Sequence, residues 1–140
     1  TSDRINDVDN VFKISSRINS TFGGNLTDMV RATQYLKIIE EEKLIQNAAH
    51  QGEYIVSQLT NLQKKFPQMT NIRGRGLLIA FDLPTTDERN KYRRLAWDLG
   101  LLVLTCGDKS IRLRPVLDIS KADVDEAMGL FEATFKKLYN

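Results

Sequence analysis

Two hydroxyl-bearing residues, Ser20 and Thr21, stand shortly before a Gly-Gly-Asn sequence at residues 23–25. Apolar residues recur at helical spacing from Leu26 onward, so this motif lies at the start of a predicted helix. Backbone N–H groups and short hydroxyls at a helix start can bind a phosphate, and the helix dipole favours the anion. The same residues also fit an ordinary Ser/Thr turn that leads into an N-cap. The pattern therefore predicts a candidate phosphate site, with a structural turn as the alternative.

A second candidate lies in the segment 111–115, where Arg112 and Arg114 alternate with apolar residues. If this segment is a strand, alternation directs both arginines to the same side, about 7 Å apart. If the two arginines are exposed, they indicate no particular function. If they lie in a cleft, they indicate a carboxylate-binding site, because a guanidinium can bind a carboxylate through two parallel hydrogen bonds. The sequence leaves both possibilities open, whereas the arginines of the Arg-Gly-Arg-Gly segment 73–76 are assigned a structural role.

The histidine and the cysteine of the chain give no reason to predict a metal site or a cysteine nucleophile. His50 and Cys106 are the only histidine and the only cysteine of the chain. They lie far apart in the sequence, so the usual zinc ligand sets cannot be assembled. We expect His50 to be a structural residue of a helix. Cys106 has no histidine neighbour to activate it and is expected to be a small loop residue.

Composition narrows the class of protein further. The chain has 140 residues, of which 41% are apolar and 27% charged, and its net charge is +2. These values exclude a disordered or disulfide-based protein and give no basic stripe for nucleic acid. No apolar run is long enough for a membrane span. The chain begins with Thr1 rather than methionine, so we expect a piece of a longer protein.

The elements that position these residues can be predicted from periodicity. We expect a loop over residues 1–24, with a short strand near Val11–Ile14, and a helix from Leu26 that bends at Glu40–Glu42. Further along we expect the following elements: a second helix ending before Pro67, a strand at Leu77–Phe81 covered on both faces, a helix from Thr85 to Gly100, strands at Leu101–Leu104 and Ile111–Leu113, and a last helix from Ser120. The predicted fold class is α+β, with helices on one face of a small, mostly antiparallel sheet.

Three segments together resemble the class III (ω-type) aminotransferases, which use pyridoxal 5′-phosphate on a fold type I scaffold. They are the phosphate-loop segment 17–25, the segment 73–77 and the segment 107–115, in the family's order and at suitable separation. The resemblance covers almost the whole chain and implies a C-terminal part of such an enzyme. It implies that residues 1–24 end the large domain, residues 25–44 form an inter-domain helix, and residues 45–140 form the small α+β domain.

The resemblance also implies roles for three residues. Thr21 is expected to hydrogen-bond the cofactor phosphate of the neighbouring subunit, so that the site is built across a homodimer interface. Ser20 is expected to shape the same loop. Arg112 is expected to bind the α-carboxylate of the amino or oxo acid, with Arg114 as its strand neighbour.

The activity implied is transfer of the ε-amino group of L-lysine to 2-oxoglutarate in the cytoplasm, giving 2-aminoadipate 6-semialdehyde and L-glutamate. 4-Aminobutyrate or ornithine are alternative amino donors. The lysine that binds the cofactor covalently lies upstream in this family, and Lys13 lacks its context, so we expect the chain alone to be inactive. An alternative of another class is a free-standing ferredoxin-like ligand-binding module, suggested by the predicted order β, α, β, β, α.

Overall fold

The computed structural model describes residues 3–139, so Thr1, Ser2 and Asn140, at the ends of the predicted domains, lie outside the described residues. The chain divides into two compact units, Thr1–Lys37 and Ile38–Asn140. The elements, in chain order, are α1 (Leu26–Glu41), α2 (Leu44–Lys65), β1 (Thr70–Arg75), β2 (Leu78–Asp82), α3 (Thr86–Asp98), β3 (Leu104–Cys106), β4 (Ser110–Leu113) and α4 (Lys121–Tyr139). Two 3₁₀ helices, Asp3–Asp7 and Val11–Lys13, precede α1.

The first unit corrects one prediction about its opening segment. The strand expected near Val11–Ile14 is wrong, because residues 11–13 form a 3₁₀ helix. Asn10 causes the turn: its side-chain oxygen accepts a hydrogen bond from the Phe12 N–H at 3.0 Å. An asparagine that captures a nearby amide in this way competes with extended structure.

The break between the first two helices is confirmed. The helix α1 ends at Glu41, and α2 begins directly after Lys43, whose φ is +53°. A lysine in the left-handed region cannot continue a helix, so two helices form where the acidic run predicted a bend. The helix α2 then ends at Lys65, before Pro67, also as predicted.

The sheet of the second unit has the strand order β1-β2-β4-β3, and every neighbouring pair is antiparallel. The strand β1 was not predicted from the sequence, because its glycine and two arginines lack the apolar alternation of a strand. The strand predicted at Leu101–Leu104 is displaced, since ladder pairing begins only at Leu104, opposite Arg112. The strand predicted at Leu77–Phe81 is found one residue later, as β2.

The core lies on one face of this sheet, against α2, α3 and α4. Ile79, Phe81 and Ile111 project into it from the strands and are fully buried. Phe135 of α4 lies 4.6 Å from Tyr92 of α3, measured between ring centroids, and 5.1 Å from Phe66. The following core residues complete the layer: Ile55, Leu59, Leu62, Met69, Leu77, Leu83, Ala96, Val103, Val124 and Phe131. The α+β prediction is thereby confirmed.

The opposite face of the sheet is more open, which corrects the expectation of a strand covered on both sides. Leu78 of β2 is 58% exposed, although its neighbour Ile79 is buried. Apolar residues in that run therefore do not all face protein within residues 3–139. The candidate arginine of β4 lies on this more open face, as shown below.

Candidate cofactor and carboxylate sites

The loop before α1 folds on itself through the first hydroxyl of the predicted motif. Ser20 accepts two hydrogen bonds, one at its Oγ from the Phe22 N–H at 3.3 Å and one at its carbonyl from the Gly23 N–H at 3.0 Å. The Asn25 N–H donates to the Phe22 carbonyl at 3.2 Å. A Cβ on Gly23 would lie 3.1 Å from the Ser20 carbonyl oxygen, so the turn is tight enough to favour glycine.

Asn25 caps the helix that follows, as its position predicted. Its Oδ1 accepts hydrogen bonds from the N–H groups of Thr27 at 2.9 Å and of Asp28 at 3.4 Å. These two amides belong to the first turn of α1 and are therefore already satisfied. The structural-turn alternative thus accounts for both Ser20 and Asn25, and the amides of Thr27 and Asp28 are not free for a phosphate.

Thr21 is left with its hydrogen-bonding groups available. Its side chain is exposed, and no hydrogen bond within residues 3–139 uses its hydroxyl or its N–H. Gly24 has a φ of +77°, and nothing lies within 4 Å of where its Cβ would be. A hydroxyl beside an uncovered glycine backbone offers donors to one side without obstruction. The hydroxyl and N–H of Thr21 are thus not used by the fold of residues 3–139.

Arg112 occupies the middle of β4, opposite Ala80 of β2 on one side and Leu104 of β3 on the other. It is half-buried, and its Nε is buried without an acceptor among residues 3–139. None of the ion pairs formed by residues 3–139 includes Arg112. A partly desolvated guanidinium without a counter-ion is unfavourable by itself and favours binding of an external anion.

Arg114 lies just beyond the end of β4 and is exposed. Both arginines nevertheless line one cavity of about 320 Å³ in the second unit. The rest of its lining is mostly aliphatic and includes Leu101, Val103 and Ile119. The structure therefore matches neither possibility in full: Arg112 is half-buried, with no carboxylate from residues 3–139 paired to it, whereas Arg114 is exposed.

A polar cluster on three strands was missed by the sequence analysis. The carboxylate of Asp82 accepts hydrogen bonds from Arg73 Nη1 and Asn71 Nδ2, each at 2.9 Å, and from the Ser110 hydroxyl. Arg73 Nη2 also donates to Ser110 Oγ at 2.9 Å. Burial raises the pKa of Asp82, but the hydrogen bonds from Ser110, Asn71 and Arg73, with the charge of Arg73, outweigh burial and lower this pKa below its ordinary value.

A signal for this cluster was present in the sequence. Asp82 ends an otherwise apolar run, and a buried carboxylate in that position requires donors from neighbouring strands. The donors could not be named, because β1 was not predicted. Arg73 does have the structural role expected for it, as the cation of this cluster.

The two remaining candidates, His50 and Cys106, both lie on the surface. His50 is exposed on α2, and Cys106 is free and exposed on the edge strand β3. Residues 3–139 contain no group of three or more His, Cys, Asp or Glu side chains placed to hold a metal ion. In the same part of the chain, no helix combines the length and the apolar character needed to cross a membrane.

Comparison with known proteins identifies the family. Residues 3–135 match the profile of the family described as Aminotransferase class-III. The chain therefore belongs to the class III aminotransferases, and the predicted resemblance is confirmed. Enzymes of this family depend on pyridoxal 5′-phosphate.

Individual relatives point to one branch of the family. The chain is 46% identical over 128 residues to the L-lysine-epsilon aminotransferase of Mycobacterium tuberculosis, covering 90% of this chain and 28% of that protein. It is 39% identical over 102 residues to the mitochondrial 4-aminobutyrate aminotransferase of Sus scrofa, covering 72% of this chain and 20% of that protein. The chain thus spans less than a third of the length of these relatives.

A solved structure supports the fold assignment. The lysine aminotransferase from M. tuberculosis superimposes with a TM-score of 0.85 at 42% identity, covering 97% of this chain and 31% of that chain. The α+β arrangement is therefore that of a part of a pyridoxal phosphate-dependent aminotransferase. The predicted domain boundaries and the roles of Ser20, Thr21 and Arg112 stay predictions.

Proposed function

We propose that the chain is part of an L-lysine 6-aminotransferase that transfers the ε-amino group of L-lysine to 2-oxoglutarate. The products would be 2-aminoadipate 6-semialdehyde and L-glutamate. The observation that carries this proposal is the 46% identity to an L-lysine-epsilon aminotransferase across 90% of the chain. Identity to the 4-aminobutyrate enzyme is lower and covers less of the chain. 4-Aminobutyrate is therefore the second candidate donor, and ornithine is the third.

Thr21 is proposed to bind the cofactor phosphate of the neighbouring subunit of a homodimer. Its exposed hydroxyl and N–H have no partner within residues 3–139, which supports this role. Ser20 is proposed to hold the loop, since its hydroxyl accepts from the Phe22 N–H. When bound, the cofactor supplies the electron-withdrawing chemistry that lets an amino group pass from one substrate to another.

Arg112 is proposed to bind and orient the α-carboxylate of the amino or oxo acid. Its half-buried guanidinium has no counter-ion within residues 3–139, and its Nε lacks an acceptor. A charge-assisted hydrogen bond of this kind contributes about 1.5–3 kcal/mol. That contribution corresponds to a change in affinity of about 10- to 100-fold.

The lysine that binds the cofactor covalently is proposed to lie outside this chain. Lys13 is the last lysine before the phosphate loop in the sequence, and its Nζ donates to the Asn6 carbonyl at 2.6 Å. We therefore expect no lysine-specific adduct when the chain is treated with pyridoxal 5′-phosphate and borohydride and analysed by mass spectrometry. A stable adduct on one lysine would contradict this part of the proposal. We further propose a cytoplasmic enzyme, consistent with one free cysteine.

The test uses the complete enzyme that contains this chain. Its kcat/KM should be highest with L-lysine when L-lysine, 4-aminobutyrate and L-ornithine are compared with 2-oxoglutarate as acceptor. Arg112→Gln should raise the KM for 2-oxoglutarate about 10- to 100-fold. The matched control is Arg75→Gln, which removes an exposed arginine of β1 and should change this KM less than twofold.

The phosphate role has its own matched pair. Thr21→Val removes the hydroxyl and should weaken cofactor binding, measured by the cofactor concentration needed to restore activity to the apoenzyme. Thr21→Ser keeps the hydroxyl and should bind nearly as the wild type does. Preference for 4-aminobutyrate, an unchanged KM in Arg112→Gln, or normal cofactor affinity in Thr21→Val would each contradict the corresponding part of the proposal.

A further inference from the structure

We propose that Arg73 is a positioning residue for the carboxylate site, because it neutralises Asp82 and so keeps Arg112 available to an external carboxylate. This inference rests on the proposed function in one respect, namely that Arg112 binds the carboxylate of the substrate. It adds that the open face of the sheet contains an internal competitor for Arg112, and that Arg73 removes the competition.

The sheet register places the three residues on one face. Arg73 of β1 lies opposite Ala80 of β2, and Ala80 lies opposite Arg112 of β4. Directly paired residues project to the same side of a sheet, and so do residues two apart on one strand. Asp82 is two residues from Ala80, so it projects to the same side as both arginines.

The sheet register makes Asp82 a neighbour of Arg112 on this face, although no hydrogen bond or ion pair joins the two side chains. The two residues are diagonal neighbours on adjacent strands, because Asp82 pairs with Ser110 and Arg112 follows Ser110 by two residues. Diagonal neighbours are about 7–8 Å apart, within reach of a long side chain. Asp82 is only 7% exposed, so solvent screens its charge weakly.

The two arginines differ in their hydrogen-bond partners. Arg73 forms an ion pair with Asp82 at 2.9 Å and also donates to Ser110 and to the Asn71 carbonyl. Arg112 forms no ion pair within residues 3–139. One arginine therefore satisfies the internal acid, while the other keeps its charge for a ligand.

The charges of these three residues predict the effect of substitution. Arg73, Asp82 and Arg112 together carry +1. In Arg73→Gln they carry zero, because Asp82 keeps the donors Asn71 and Ser110 and stays ionised beside Arg112. In the double variant Arg73→Gln with Asp82→Asn they carry +1 again, although the ion pair is lost. If the intact ion pair itself shaped the carboxylate site, the double variant, which also lacks the pair, would bind carboxylates as weakly as Arg73→Gln.

The experiment measures carboxylate binding to the complete holoenzyme with and without turnover. In Arg73→Gln, we expect the KM for 2-oxoglutarate to rise about tenfold while kcat stays within about twofold. The dissociation constant of glutarate, a dicarboxylate that cannot accept an amino group, should rise by a similar factor in calorimetry. The double variant should return both values to within about twofold of the wild type. Thermal melting shows whether each variant is folded, and Arg75→Gln is the matched arginine control.

Three outcomes would overturn the inference, and one of them would also contradict the proposed function. Unchanged glutarate affinity in folded Arg73→Gln would show that Asp82 does not compete. A double variant as weak as Arg73→Gln would show that the ion pair acts only through structure. If Arg112→Gln also binds glutarate as the wild type does, the proposed carboxylate site fails together with the inference. When Arg112→Gln does lose glutarate binding, either of the first two outcomes overturns the inference alone.

Discussion

The two units of the chain are stabilised in different ways. Residues 3–37 include no buried residue, and their side-chain hydrogen bonds join residues at most seven positions apart. Residues 38–139 form a core on one face of a sheet, and the Asn47 side chain donates to the Ile119 carbonyl, 72 positions away. The candidate phosphate ligand is thus positioned by local turns, whereas the candidate carboxylate ligand depends on pairing and packing between distant segments.

The largest expected effect tests this difference with one substitution made in both units. Phe135 is fully buried among aromatic rings, and Phe22 is 75% exposed. Phe135→Ala should lower the free energy of unfolding by about 3–5 kcal/mol, because it leaves a cavity in the core. Phe22→Ala should change it by less than about 0.5 kcal/mol. Denaturant unfolding measures both values, and equal effects would break the distinction between the units.

A second prediction tests close backbone contact within the larger unit. A Cβ on Gly52 of α2 would lie 2.2 Å from the carbonyl oxygen of Gly76, which is backbone and cannot rotate away. Gly52→Ala should therefore destabilise the protein by about 2–3 kcal/mol. Gly129→Ala in α4 is the control, since nothing lies within 4 Å of its Cβ position. That control should stabilise the helix by about 0.5–1 kcal/mol, and destabilisation there would contradict the contact argument.

Local signals predicted the helices well. We expected helices to start after Asn25 and at Thr85 and a helix to end before Pro67, and all three boundaries are observed, with side-chain caps at Asn25 and Thr85. Each depends on residues within a few positions of each other, so a sequence pattern can contain the whole interaction. The failure at Val11–Ile14 is also local: the Asn10 side chain that turns the chain was not considered.

The sheet was less predictable because its stability comes from partners far away in sequence. The strand β1 has no apolar alternation, and its place depends on pairing with β2 and packing of α2. Since β1 was missed, the Asp82 cluster on β1, β2 and β4 could not be foreseen. Sequence patterns and family resemblance predicted a ligand role for Arg112, but they gave no sign of the Arg73–Asp82 ion pair on the same face of the sheet.

A third prediction concerns the stability of the larger unit in acid, which depends on the Asp82 cluster between distant strands. The pKa of Asp82 in the folded protein lies below 3.8, so its ionised form stabilises the fold. That contribution is complete above the unfolded pKa and is lost as the pH falls through the folded pKa. Asp82→Asn should remove about 2 kcal/mol near neutral pH and flatten the loss of stability below pH 3.8.

Unfolding measured at pH 7 and between pH 2 and pH 4, about 25 °C, checks this prediction. The slope should be reduced rather than abolished, because hydrogen bonds also lower the pKa values of Asp123, Asp125 and Glu132. Asp118→Asn, at an exposed aspartate, is the matched control and should leave the profile unchanged. A variant at Asp82 with the wild-type profile would show that its carboxylate adds no stability.

The smallest expected effect tests whether the phosphate loop is really held by local bonds. Asn25→Ala removes the acceptor of the Thr27 and Asp28 amides and should weaken the start of α1 by about 1 kcal/mol. Amide hydrogen exchange at these two residues should become about fivefold faster. Asn25→Asp keeps the acceptor and should preserve protection, while exchange in the strands of the second unit should not change. If exchange in Asn25→Ala stays at the wild-type rate, longer-range contacts must hold the helix start, and the loop that presents Thr21 would not be locally determined.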